Sequence, residues 1–431
     1  MKILEVAVAL KKSDMDLYTR ILHEELRVAM GCTEPIAIAY AAAYACDILG
    51  GFPEKIEVHC SGNIIKNVKA VTVPNTGGLK GIEAAALAGA ISGRPDLELE
   101  ILSVLTEEDQ QELRRRIDEK MTTVRLLESS HALHIILLAT LHENEVSVEI
   151  IDSHTCIGDV VHNGKILHRR NVEEMQAVEK RCRMEVQSIL EYAAQVPLED
   201  VQDLLTRQIE NNCAISEEGL KNPWGECVGM TMCAAEPDNW KTRIIAATAA
   251  GSDARMNGCA LPVVINSGSG NQGMTASLPV IEHAKSINAT REQLLRALCV
   301  SNLVSIHQKT GIGRLSAFCG VVCAATGAMA GMAFLDGQPR KVIENAIVNS
   351  IANIGGMVCD GAKSSCAAKI ASALQCALLG YEMAKRDRVF RPGEGLVKSD
   401  VEKTIESIGK MAAEGMAATD NIILNIMISD N

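Results

Sequence analysis

Between Leu315 and Leu335 the chain carries no charged residue. A run of that length and polarity belongs either in a bilayer or in the middle of a folded core. This one is rich in glycine and alanine, only weakly hydrophobic, and no second span accompanies it. We therefore expect a helix buried on all sides, with Gly327 and Gly331 letting another backbone come close. The packing around it is constrained too. Aromatic residues make up 3% of the 431, against 47% hydrophobic residues overall, so the core must be built from Ala, Leu, Ile, Val, Met and Gly. Such a core favours close-packed helices over an aromatic-filled sandwich.

At 431 residues the chain exceeds what one core usually covers, so two lobes are expected. After Met30-Gly31-Cys32-Thr33-Glu34-Pro35 comes an Ala-rich apolar helix, Ile36 to Leu49. Thr33 is its expected N-cap and Pro35 lies in its first turn. Residues 52 to 168 change character: KIEVHCSG, KNVKAVTV, LHIILLATL and VSVEIID have strand composition, with helices after Gly81 and Thr106. From Val172 onward the pattern is helical, with glycine-rich connectors. The fold class is thus α+β: a mainly helical domain (172–431, joined by N-terminal helices 1–51) with a smaller α+β lobe (52–171) inserted.

A net charge of −12 argues against nucleic acid or an anionic membrane as partner and leaves a small-molecule anion open. The start, MKILEVAVALKKSD, lacks a signal-peptide pattern, which points to the reducing cytosol. There, fifteen cysteines mean packing, metal or catalysis rather than disulfides. Self-association, with a homodimer as one option, is left open.

Cys319, Cys359 and Cys366 lie in apolar, glycine-rich surroundings. Cys359-x6-Cys366 brackets a DGAKSS loop, and Cys366 opens a helix that Ser364 or Ser365 can cap. A thiolate at a helix N-terminus is favoured by free N–H groups. Three separated thiolates in a dry pocket suit an iron–sulfur cluster better than a zinc ribbon, which would want two close C-x2-C pairs. On spacing alone, buried structural cysteines are the commoner reading. Cys32, at the turn into its helix, is expected to have a lowered pKa and to serve as ligand or base.

The loop Asn266-Ser267-Gly268-Ser269-Gly270-Asn271-Gln272-Gly273 offers backbone N–H groups and side-chain donors for a carboxylate or phosphate. Ser267, Ser269 and Asn271 are its candidate substrate contacts, with Thr33 from the N-terminal motif and Asn75 and Thr76 from NTGGLKG. Lys309 and Arg314 flank the charge-free run and are candidate carboxylate binders, Arg bidentately. Ser153-His154-Thr155 ends a strand, where a lone histidine is more often structural or exposed than catalytic.

Together, MGCTEP, VPNTGGLKG, NPWGECVGM, INSGSGNQG, GIGRLSAFCG and GGMVCDGAKSSC resemble the iron–sulfur L-cysteine desulfidase family, related to the catalytic domain of iron–sulfur L-serine dehydratases. The resemblance runs over nearly the whole chain, with the motifs in order. It implies a [4Fe–4S] enzyme that carries out β-elimination on a free amino acid. It places the cluster ligands on Cys319, Cys359 and Cys366, the proposed base on Cys32, and substrate near the SGSGNQG loop. L-cysteine is the first expectation for substrate and L-serine the second. A pyridoxal-phosphate lyase built on the glycine loop and a non-enzymatic iron- or redox-binding protein are the other readings. The former lacks a lysine in a recognisable Schiff-base context.

Overall fold

The computed structural model describes residues 10–170 and 184–429. The fold is α+β and mainly helical. Six strands form one sheet: β2 (Lys55–Cys60), β3 (Thr122–Leu126), β4 (His134–Leu141), β5 (Asn144–Ile151), β6 (Ile157–His162) and β7 (Lys165–His168). Their spatial order is β3-β2-β4-β5-β6-β7, with β2 and β3 parallel and every other pair antiparallel. Alternation along the strands buries one face: Ile135, Leu137 and Ala139 on β4, and Val146, Val148 and Ile150 on β5. Helices α2 (Thr33–Leu49) and α4 (Gly81–Ser92) pack with that face in one apolar core. Two further helices complete the lobe, α3 (Gly62–Val68) and α5 (Glu107–Asp118). The latter starts at a Thr106–Asp109 capping box.

The second core is helical. It holds α1 (Lys12–Glu25), α6 (Val186–Gln195), α7 (Gln202–Lys221), α8 (Val228–Ala235), α9 (Trp240–Met256), α10 (Gly270–Ser286) and α11 (Arg291–Ile312). It continues with α12 (Val321–Leu335), α13 (Arg340–Ile354), α14 (Cys366–Ala384), α15 (Val401–Lys410) and α16 (Ala417–Ser429). The charge-free run ends in α12, which packs on α10, α11, α13 and α14. No helix among the described residues is long and apolar enough to cross a membrane. A Cβ on Gly327 would meet the Ser301 carbonyl of α11, and one on Gly331 the Ala297 carbonyl. This is the close backbone approach that the spacing predicts.

The structure departs from the sequence reading in three places, and a fourth stretch is described only in part. Helix α1 joins the helical core, but α2 packs on the sheet, so the two N-terminal helices belong to different cores. The first half of KNVKAVTV is helix α3, because Ile64 and Val68 are buried at helical rather than alternating spacing. Cys319 precedes α12 instead of riding on it. The amphipathic stretch from Val172 falls largely outside the described residues; α6 is its last part.

A two-stranded antiparallel ribbon joins the lobes. β1 (Val28–Met30) pairs with β8 (Pro262–Val264) in the register Val28↔Val264. Its strands lead into the MGCTEP turn and the SGSGNQG loop, so both motifs share one place.

Gly327→Val should force α11 and α12 apart. Overpacking of this kind costs about 1–3 kcal/mol, and the thermal midpoint should fall. A melting curve that overlays the wild type would show that the helices are not in such close contact.

Candidate active site

Two short extended segments set the geometry of the thiols. Phe318 and Val358 form an isolated antiparallel bridge. The Cys319 amide donates to the Met357 carbonyl (2.9 Å) and the Cys359 amide to the Ala317 carbonyl (2.6 Å). Alternation puts Cys319 and Cys359 on the face opposite Phe318 and Val358, and their thiols act directly on each other. That contact raises the pKa of Cys319 and lowers that of Cys359, with the Lys66 and Lys309 charges also favouring the Cys359 thiolate.

Cys366 is the first residue of α14, and its charge is felt by both Cys319 and Cys32. It packs against a small cluster of Cys32, Val71 and Met256. The loop between Cys359 and Cys366 is pinned at Asp360, which is ion-paired to Lys363 and Lys369. It is further held by Lys369 donating to the Val358 carbonyl at 2.8 Å.

Two expectations about caps are corrected. Ser365 is the N-cap of α14 but its hydroxyl makes no cap bond, and the Ser364 hydroxyl donates to Asn257 instead (2.9 Å). Burial then raises the Cys366 pKa. Likewise Cys32, not Thr33, is the N-cap of α2. The Cys32 thiol is 1% exposed, and burial pushes its pKa up to about 12, not down. The nearby Arg255 charge works against that rise without overcoming it.

The SGSGNQG loop closes over this group. Asn266 and Ser269 exchange backbone hydrogen bonds (3.1 and 3.0 Å), with Ser267 and Gly268 in the left-handed region between them. Ser269 is the N-cap of α10. The Thr33 hydroxyl donates to the Gly268 carbonyl at 2.7 Å, fastening MGCTEP to the loop. Arg255, at the end of α9, donates from Nη2 to the Gly31 carbonyl (2.9 Å) and from Nη1 to Asn271 Oδ1 (3.2 Å). A Cβ on Gly320, the residue after Cys319, would collide with the Gln272 amide. The loop therefore lies against both Cys32 and Cys319.

The remaining predicted residues have structural partners. Asn75 donates to the Leu102 carbonyl (3.0 Å), and Thr76, fully buried, to the Val73 carbonyl (2.7 Å). The Ser267 hydroxyl donates to Asn266 Oδ1 (2.9 Å). Arg314 is ion-paired to buried Glu25 at 2.9 Å. Lys309 is buried, donates to the Gly313 carbonyl, and lies near Cys319, Cys323 and Cys359; burial lowers its pKa.

Sequence reasoning passed over three groups that stand here, Glu34, Lys66 and Arg255, and set a fourth, His154, aside. Glu34 is held by Asn67 (3.0 Å) and Thr33 (3.2 Å), and burial raises its pKa. Lys66 donates to the Cys359 carbonyl (3.4 Å). Arg255 is 3% exposed. His154, read as structural or exposed, is 5% exposed and abuts the loop: its Cε1 would be 2.9 Å from a Cβ on Gly268. Burial, then the Arg314 and Arg255 charges, lowers its pKa to about 3. The available signal was Arg255 following the uncharged, small-residue stretch from Ile244 to Ser252.

A sequence model of the serine dehydratase alpha chain matches residues 96–425. The chain belongs to that family. The match contains Cys319, Cys359, Cys366 and the SGSGNQG loop; Cys32 and Thr33 precede it. Full-length likeness comes from UPF0597 proteins. That of Lachnoclostridium phytofermentans is 48% identical over 410 residues, 95% of this chain and 98% of the relative. That of Treponema denticola is 43% identical, covering 98% and 100%. That of Shewanella baltica is 38% identical, covering 96% and 99%. This serine-dehydratase-like chain thus keeps its length across those relatives.

The donor set fits an iron–sulfur group. Among the described residues no three His, Cys, Asp or Glu side chains converge as a single metal ion requires. A cluster spreads its thiolates over separate irons, so the sulfurs need not meet at one point. All described cysteines are free thiols; Cys359 lies near the cations Lys66 and Lys309, and Cys366 near Lys363 and Lys369.

A neutral buried histidine has a signature in acid. With its folded pKa near 3 and its ordinary value 6.5, His154 favours folding above about pH 6.5, and that contribution is lost as pH falls toward 3. Urea unfolding of His154→Gln across this range should show a shallower acid limb than wild type. Parallel limbs would mean that the imidazole is free to protonate in the fold.

Proposed function

We propose that this chain is a [4Fe–4S]-dependent lyase that removes the β-substituent of a free L-amino acid, L-cysteine first. The observation that supports it is the gathering of Cys319, Cys359 and Cys366 against Cys32 beneath a donor-rich loop. The three cysteines would hold the cluster. When bound, it supplies a Lewis acid at an iron that no protein ligand occupies. Lys309 offsets the thiolate charge in a dry site, where unpaired charge would be costly, and Lys66, whose own charge is shared with Asp420, adds to it.

The remaining work falls to the chain. The SGSGNQG loop holds the substrate over Cys32. The Cys32 sulfur takes the Cα proton, the Cα–H electrons form the Cα=Cβ bond, and the Cβ–S bond breaks to release sulfide. The resulting aminoacrylate leaves and hydrolyses to pyruvate and ammonia. Cys32 must first pass its own proton on: the neighbouring Glu34 carboxylate is the acceptor, and Arg255 is the charge that favours the thiolate left behind. Apolar walls from Val71 and Met256 keep water from competing for that proton. L-Serine elimination by the same groups, with water leaving, is the second reading, and the family description supports it. The reducing cytosol is the proposed compartment, since an exposed iron is labile to oxygen.

Anaerobically purified wild-type protein should be brown. Cys359→Ala should lose iron and colour, whereas Cys32→Ala should keep both and lose turnover by about 100-fold or more. Sulfide from L-cysteine and pyruvate from L-serine, assayed under argon, rank the substrates. Full activity in Cys32→Ala would remove the base assignment, and full iron content in Cys359→Ala would remove the ligand assignment.

A further inference from the structure

Three buried polar atoms around the SGSGNQG loop have no hydrogen-bond partner: Nε2 of His154, Nε of Arg255 and Oε1 of Gln272. Leaving such an atom without a partner is costly, and folded proteins keep few of them. These three are grouped on one short segment. His154 lies against Gly268, the Arg255 Nε against Gly270, and the Gln272 amide against Gly320 beside Cys319. Each neighbouring glycine lets the polar side chain come close to the loop, where a Cβ would collide with it.

Their chemistry defines the missing partner. Arg255 Nε–H can only donate, and Gln272 Oε1 can only accept. A neutral imidazole can donate from Nε2, and the adjoining Arg314 and Arg255 charges disfavour a third cation there. Two donors in a cationic setting call for a carboxylate. An acceptor at the loop's other end, next to Cys319, calls for an ammonium.

We infer that His154 and Arg255 receive the α-carboxylate, and Gln272 the α-ammonium, of a zwitterionic amino acid. The inference rests on the amino-acid lyase reading above and names the groups that recognise its substrate. His154 enters from the turn after β5, so the sheet lobe supplies part of the specificity of a site built mainly on helices. A ligand lacking either charged group leaves one side of the pocket unsatisfied and binds weakly.

The test is calorimetric binding under argon to the brown enzyme, using L-alanine, which has no leaving group, and propionate, which lacks the ammonium. Arg255 also ties Gly31 to Asn271, so the variants are His154→Asn and Gln272→Leu. His154→Asn should raise the Kd of both probes on the order of tenfold. Gln272→Leu should raise that of L-alanine alone by a similar factor, with visible absorption unchanged in both variants. Unmoved Kd values in both variants, or no L-alanine binding by an enzyme that turns over L-cysteine, would overturn the inference while leaving the lyase reading intact. The predicted Kd pattern in a protein that acts on neither L-cysteine nor L-serine would support the pocket and sink the lyase reading.

Discussion

One buried guanidinium ties the site together. Arg255 stands at the end of α9 and reaches the Gly31 carbonyl on one side and Asn271 on the other. Those two bonds join the turn that carries Cys32 to the loop that covers it. The guanidinium also sets the local charge. It favours the Cys32 thiolate and the Glu34 carboxylate, and it disfavours protonation of His154. A lysine could supply the charge but not the rigid planar fork that aims one donor at each side. Placing such a cation inside a helical core is costly unless its donors are used. The small residues of α9 lessen that cost by letting α7, α8, α10 and α14 pack around it.

The second organising element is the bridge between Phe318 and Val358. Phe318 is buried in the helical core, and this anchors one cysteine strand from below. The bridge then fixes the second strand by backbone bonds alone, which leaves both thiols free. Cys366 arrives separately, at the start of α14. Ser364 and Asn257 tie its loop to α9, so the same helix that carries Arg255 also steadies the third thiol. Rigid positioning of this sort is what a pre-organised site needs.

Much of this architecture was readable in the residues. The charge-free run, its Gly327–Gly331 spacing, the strands of the lobe and the convergence of the cysteine motifs follow from composition, periodicity and resemblance. What could not be read is tertiary. Cys32 at a helix start has the local features of an acidic thiol, yet burial against Val71 and Met256 outweighs the helix terminus. Thr33 and Ser364 look like caps, but both hydroxyls reach residues more than one hundred positions away. His154 carries no local mark at all, since only the packing of the sheet lobe on the loop brings it to Gly268.

The C-terminal helix shows how far the site's electrostatics extend. Lys66 lies on α3 of the sheet lobe, almost wholly buried, with its ammonium near Cys359. A buried ammonium with thiols as its sole counterpart would be exposed to their redox and ligation state. Asp420 of α16 removes that dependence by pairing with it. Leu424 of the same helix lies against Gly62, and Lys69 donates to the Met427 carbonyl, so α16 is clamped along α3. The cation beside the thiols is therefore held by a helix that makes no contact with substrate in the proposed reaction. Placing this ion pair beside Cys359 thus requires the inserted lobe, the cysteine loop and the end of the chain to be assembled together.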